Sequence, residues 1–255
     1  MKTATALVAL ALGCAAPAMA AEITVLSTGG ARAVMTSLVP EYERVSGDHV
    51  TISFATPGEM RDKLVRGEAK PDVAVGIAAI MPDLEKAGKI VPASRAEFAA
   101  SYVGVVVRAG APKLDVTTPE AIKRAVMGAK TIALSDPRAG TQLGATFIAT
   151  TERNGFGAEM RARAKMIQGP GSDVAQAVAK GEADMGVTLI SEILPVQGAS
   201  LAGELPADFM PPTVMYALEV SGARNPETAK KLLAFLKSPE ARKVIEAKGM
   251  KPPKQ

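Results

Sequence analysis

Short apolar runs alternate along this chain with longer stretches whose apolar positions recur every three or four residues. The first pattern predicts buried strands and the second predicts helices. Glu22–Leu26 (EITVL), Val50–Ala55 (VTISFA) and Asp72–Gly76 (DVAVG) read as strands. Between them, Ala31–Val45 sets Val34, Leu38, Tyr42 and Val45 on one helical face, and Gly58–Arg66 reads as a second helix. Pro40 is expected to kink the first helix or to set a new first turn, because its ring excludes the preceding turn's carbonyl. A third helix over Ala79–Ala87 ends at Gly88, a suitable residue just past a helix end. The order β-α-β-α-β-α predicts a mostly parallel sheet covered by helices.

Tyr102–Arg108 (YVGVVVR) is the next strong strand, and a second βα series follows it. Its helices are expected near Pro119–Met127, Gln142–Arg153, Ala158–Ala164 and Asp173–Lys180, and its strands at Thr131–Leu134, Lys165–Gln168 and Ala183–Thr188. Val214–Val220 (VMYALEV) is a further strand, with Tyr216 in a packing role. Helices over Pro226–Leu236 and Pro239–Lys248 close the chain, with Asn225 and Ser238 as N-caps ahead of proline at the first helical position. Two βα blocks with a long strand between and after them predict an α/β protein of two lobes, hinged by two crossover strands. One lobe would comprise 21–103 plus 215–255, and the other 104–214. Such an arrangement leaves a cleft at the carboxyl ends of the strands, beside helix N-termini.

The amino terminus changes what counts as the folded chain. Lys2, the apolar run Ala4–Ala16 and the A-x-A pattern Ala18-Met19-Ala20 read as a secretory signal over residues 1–20. Its apolar core is shorter than the ~20 residues a spanning helix needs. Cys14 lies inside this segment, where lipid attachment is the minor alternative. About 235 residues remain, a length for one large domain or two smaller ones. With Cys14 removed, the exported chain has no cysteine, so its core must hold it without disulfides. A net charge of +4 with no basic cluster excludes a nucleic-acid footprint. Aromatics at 4% with no Trp weigh against base-stacking platforms and sugar clefts.

The chemistry falls in loops at strand ends. Ser27-Thr28-Gly29-Gly30 follows the first strand and opens a helix. Unpaired N–H groups and the helix dipole there favour an anion, and glycine lets it come close. The competing reading is a simple cap and turn. Thr56-Pro57-Gly58 ends the second strand in the same way. Asp136-Pro137-Arg138-Ala139-Gly140-Thr141-Gln142 adds a hydroxyl, bare backbone and a guanidinium suited to a carboxylate, unless Arg138 pairs with Asp136 instead. Gln168–Asp173 is a fourth such loop, with Asp173 as an N-cap, and Thr188 ends the strand MGVTL. Four loops of one kind, two in each lobe, predict a small anion gripped between lobes.

Catalytic motifs are sparse. His49, the single histidine, sits beside Asp48 at a strand start, in solvent. No His/Cys/Asp/Glu cluster has metal-ligand spacing, and no cofactor is expected. There is neither a G-x-S-x-G elbow nor a phosphate-binding P-loop. Proton transfer by a carboxylate, Lys or Tyr in the cleft stays open, with no base assigned.

Four segments, EITVLSTGGARAVMTSLVPEYERVSG, VTISFATPGEMRDKLVRGEAKPDVAVG, TIALSDPRAGTQLGATF and KGEADMGVTLISE, resemble in order the bacterial extracellular solute-binding proteins of the molybdate-binding type. The resemblance covers nearly all of the exported chain. It implies a type II periplasmic binding fold, a monomer, a periplasmic location and delivery of a captured anion to an ABC permease in the inner membrane. It also implies ligand contacts at Ser27, Thr28, Gly29, Thr56, Gly58, Arg138, Gly140, Thr141 and Gln142, to which the strand-end reading adds Thr188. The family's molybdate binders carry a run like AAAS in the first loop and serines in the second, and they often add a Tyr after the last strand of the second lobe. Here STGG, TPG and Thr188-Leu189 stand instead, and with Arg138 they suit a di- or tricarboxylate better than a molybdate-like oxyanion. The same scaffold serves a bacterial aconitate isomerase, so an enzyme acting on a tricarboxylate is the alternative.

Overall fold

Residues 20–253 are described by a computed structural model. The expectations for the secretory signal and for Cys14 concern residues outside this range. In chain order, β1 (Glu22–Thr28) leads through a single 3₁₀ turn into α1 (Arg32–Ser46), followed by β2 (His49–Ala55), α2 (Pro57–Val65), β3 (Val73–Ile77) and α3 (Met81–Lys86). Strands β4 (Ala96–Ser101) and β5 (Val103–Arg108) come next. Then follow α4 (Pro119–Gly128), β6 (Ile132–Ser135), α5 (Leu143–Arg153), α6 (Gly157–Arg163), β7 (Ala164–Ile167) and α7 (Gly171–Ala179). The chain ends with β8 (Met185–Leu189), the one-turn α8 (Ile190–Ile193), β9 (Ala199–Glu204), β10 (Thr213–Glu219), α9 (Pro226–Phe235), α10 (Pro239–Ala247) and the short β11 (Met250–Lys251).

The strands form two sheets, ordered β11-β4-β10-β3-β1-β2 and β7-β6-β8-β5-β9. Each holds three parallel strands, β3-β1-β2 in one and β7-β6-β8 in the other. Antiparallel strands then extend both sheets: β10 between β3 and β4, and β5 between β8 and β9. The sheets are therefore mixed rather than mostly parallel. The crossings between lobes explain this. The chain passes from the first sheet to the second at Tyr102, between β4 and β5, and returns over residues 205–212 before β10. Strands entering from the opposite lobe run against the βα series that they join. Helices cover the sheets, and the parallel strands end facing the space between the lobes. No helix among the described residues is long and apolar enough to cross a membrane.

Local sequence accounts for most elements. Val34, Met35, Leu38, Val39 and Tyr42 bury one face of α1, and Gly47 closes it in the left-handed conformation at φ 75°. α1 runs through Pro40, so no new first turn begins there. Pro40 and Thr36, whose carbonyl loses its partner, both lie on the exposed face, where water can satisfy that oxygen. Ser238 caps α10 by accepting from the Ala241 N–H at 3.1 Å. Asn225 precedes α9 but does not cap it with its side chain, which instead donates to the Glu22 carbonyl at 2.6 Å.

Asp72 ties this region together. Its buried carboxylate accepts from the Thr24 N–H and hydroxyl, both at 2.8 Å, and from the N–H groups of Arg224 at 2.7 Å and Asn225 at 3.2 Å. Burial pushes this carboxyl up, but the hydrogen bonds outweigh it and hold the group below the usual carboxylate range. A depressed folded-state value means stability that is present above about pH 4 and lost as pH falls below it. Asp72→Asn should accordingly melt lower at neutral pH and lose less on acidification than the parent, as read from melting temperature against pH.

Candidate functional site

A cleft of about 890 Å³ lies between the two sheets. Nine of the ten expected contact residues line it: Thr28, Gly29, Thr56, Gly58, Arg138, Gly140, Thr141, Gln142 and Thr188. Ser27 is not among the lining residues; it is buried and its hydroxyl donates to the Thr28 carbonyl at 3.2 Å. In a strand successive side chains point to opposite faces, so adjacent Ser27 and Thr28 cannot both look into the cleft.

Four helix starts point at this space, and they differ in what already occupies their N–H groups. Thr56 caps α2: its hydroxyl accepts from the Glu59 N–H at 3.3 Å, and the Glu59 carboxylate accepts from the Thr56 N–H at 2.8 Å. At α7 the expected cap, Asp173, lies inside the helix as its third residue, and Pro170 holds the cap position. Glu192 supplies the carboxylate instead, accepting from the Gly171 N–H at 3.2 Å. The first-lobe turn after Thr28 and the start of α5 after Gln142 have no side-chain cap. Their leading N–H groups are donors left for a ligand, except that of Gly144, which donates to the Ser135 hydroxyl at 3.3 Å. Thr28 strengthens that assignment. Its hydroxyl is buried without a hydrogen-bond partner, the one such side-chain atom among the described residues. Buried polar groups are normally satisfied, so an orphan hydroxyl on a residue that lines the cleft calls for a partner that enters it.

Arg138 makes the competing pair with Asp136. It lines the cleft, yet its Nε and Nη2 grip the Asp136 carboxylate, the closest contact being 2.6 Å. The guanidinium's hydrogen bonds, with the Arg138 N–H and the Gln168 amide, hold the Asp136 carboxyl below the usual range. The side chain stays 82% exposed, so its outer face is available to a ligand while Asp136 fixes its plane.

The lobes touch at the cleft's mouth. The Gly58 N–H of the first lobe donates to the Gly140 carbonyl of the second at 3.0 Å. A Cβ on Gly58 would come within 2.9 Å of the Gly140 Cα, so the approach depends on glycine. At the base, Ser191 donates to the Gly30 carbonyl at 2.9 Å and lies 2.9 Å from the Ser101 hydroxyl. Two backbone carbonyls, of Gly140 and Gly30, thus accept hydrogen bonds from the opposite lobe.

Glu192, on α8, is the residue that sequence reasoning missed. It is half-buried and lines the cleft, with the Thr188 hydroxyl donating to its Oε2 at 2.9 Å. Burial raises this carboxyl above the ordinary value against the pull of the Thr188 hydroxyl and two backbone N–H groups, and the nearby Asp173 charge adds to the rise. Gly171 makes room for it, since a Cβ there would strike both the Glu192 and Thr188 side chains. The available sequence signal was a carboxylate four residues past Thr188, one helical turn beyond a strand end.

Fold and cleft define a two-lobed solute-binding protein of the type II periplasmic binding class. The chain belongs to the bacterial extracellular solute-binding protein family, whose model matches residues 23–251. It is 32% identical over 245 residues to an aconitate isomerase from a Pseudomonas species, covering 92% of this chain and 91% of that protein. It is 27% identical over 246 residues to the molybdate-binding protein ModA of Azotobacter vinelandii, covering 93% and 92%. The solved structure of the periplasmic molybdate-binding protein of Azotobacter vinelandii superposes with a TM-score of 0.74 at 21% identity, over 91% of this chain and 100% of that one.

Proposed function

We propose that this protein captures a small organic polycarboxylate between its lobes in the periplasm and presents it to an inner-membrane ABC permease. One observation carries the choice of ligand: Arg138 presents an exposed guanidinium to a cleft of about 890 Å³ that both lobes line. That volume lies in the range of organic-ligand sites, roughly 300–1,000 Å³. Arg138 on one wall, with free helix N–H groups and the Thr28 hydroxyl on the others, offers separate seats for separate carboxylates. Closure follows from the ligand touching both lobes, which stabilises the closed state over the open one. The domain division at residues 103–104 and 214–215 is part of this reading.

A thermal-shift panel of molybdate, tungstate, sulfate, succinate, citrate and cis- and trans-aconitate tests it. Tricarboxylates should raise the melting temperature by several degrees at 100 times their dissociation constant, about 2.7 kcal/mol of stabilisation. The tetrahedral oxyanions should give little. Stabilisation by molybdate alone would refute the polycarboxylate assignment.

A second reading, an isomerase on the same scaffold, is favoured by Glu192. A carboxyl inside an anion cleft opposes binding and so calls for another role. The similarity to an aconitate isomerase points the same way.

A further inference from the structure

Three acidic side chains line the cleft: Glu59, Asp62 and Glu192. Glu59 is engaged in the α2 capping box, and Asp62 pairs with Arg61 at 2.8 Å. Glu192 has no cationic partner among the described residues. Its hydrogen bonds come from neutral groups of its own lobe, the Thr188 hydroxyl and the Gly171 N–H. It also faces the first lobe, where a Cβ placed on Gly29 would lie 3.6 Å from its Oε1. The carboxyl therefore sits beside the uncapped turn at Thr28, where the ligand's own carboxylate would be held. Burial and the Asp173 charge keep it inclined to hold a proton, as a group that gives and takes one must be.

We propose that Glu192 moves a proton between two carbons of the bound anion, so that the cleft shifts the double bond of an unsaturated polycarboxylate. This rests on the polycarboxylate reading above. The Glu192 carboxylate takes a proton from the methylene carbon flanked by a carboxylate and the C=C bond. The C–H electron pair becomes the new C=C bond, and the old π pair moves to the far vinylic carbon. That carbon then takes the proton back from the Glu192 carboxylic acid. One C–H bond breaks and one forms, no oxidant or reductant takes part, and the protein returns to its starting state. The charge that builds during the shift spreads onto the substrate carboxylates, where Arg138, the Thr28 hydroxyl and the free helix N–H groups stabilise it. Thr188 acts as a positioning residue by fixing the carboxyl's direction.

The test uses the full exported chain with cis- and trans-aconitate in D₂O, followed by proton NMR. The expected result is interconversion of the two isomers with deuterium entering the methylene position. Glu192→Gln should slow both about 10²- to 10⁴-fold, while its aconitate-induced thermal shift is kept or enlarged. Glu192→Asp, with a shortened reach, should retain intermediate exchange, and each variant's melting curve checks that it is folded. A Glu192→Gln protein that isomerises at the parent rate would overturn the assignment while leaving both functional readings standing. A parent protein that binds aconitate tightly but neither exchanges nor isomerises it would overturn the assignment and leave simple capture. A parent protein without polycarboxylate binding would overturn the assignment and the reading beneath it together.

Discussion

Gly58→Ala is expected to weaken ligand binding about ten- to a hundredfold while leaving the fold intact. Gly58 lies in the first turn of α2 with a backbone open to any residue, so alanine fits its own lobe and favours helix there. The obstruction arises only when the lobes meet. The new methyl would sit 2.9 Å from the Gly140 Cα and 3.3 Å from its carbonyl oxygen, atoms of backbone that cannot rotate away. Gly140 itself is held at φ 79° at the end of the Pro137–Ala139 turn, which restricts its retreat. Overpacking of this kind costs about 1–3 kcal/mol, and each 1.4 kcal/mol is about tenfold in affinity. Small-angle scattering should show the parent contracting on ligand addition and the variant contracting less. Calorimetry should show the loss of affinity. A Gly58→Ala protein that contracts and binds like the parent would remove the Gly58–Gly140 contact from the closing mechanism.

The sequence was most readable where burial alone decides structure. β1, β3, β5, β6 and β8 are dense in β-branched or aliphatic residues, and helices with clear apolar stripes emerged within a few residues of their observed ends. Strands β4 (AEFAAS) and β9 (ASLAGE) did not emerge, since alanine, serine and glycine carry little strand preference. They are strands because β10 and β5 offer them open edges, which is a fact of tertiary pairing. The same limit governed the site. Loops at strand ends identified nine cleft residues, because small residues at helix starts have a local physical reason to be there. Glu192 lacked such a reason. Its importance comes from reaching back 21 residues to the start of α7, where local reasoning had placed Asp173 as the cap.

Thr28→Val is the sharpest test of the anion site, because the two states of the protein should respond in opposite directions. Valine replaces the hydroxyl with a methyl of nearly the same size. In the structure Thr28 is 1% exposed and its hydroxyl has no partner, so it has lost water and gained nothing. Leaving a buried polar group unsatisfied costs about 1–3 kcal/mol. Removing it should raise the melting temperature of the unliganded protein by about 2–4 °C for each kcal/mol recovered. In the complex the same hydroxyl would donate to a charged oxygen, a bond worth about 1.5–3 kcal/mol. The variant should then bind its anion roughly ten- to a hundredfold more weakly, with a smaller ligand-induced shift. Ser27→Ala provides the contrast: its hydroxyl already donates to the Thr28 carbonyl and does not line the cleft, so affinity should hold while stability falls slightly. Only a hydroxyl kept at a cost for an absent partner gives gain in one state and loss in the other. A Thr28→Val protein with unchanged affinity would place the ligand elsewhere in the cleft and leave that buried hydroxyl without a purpose.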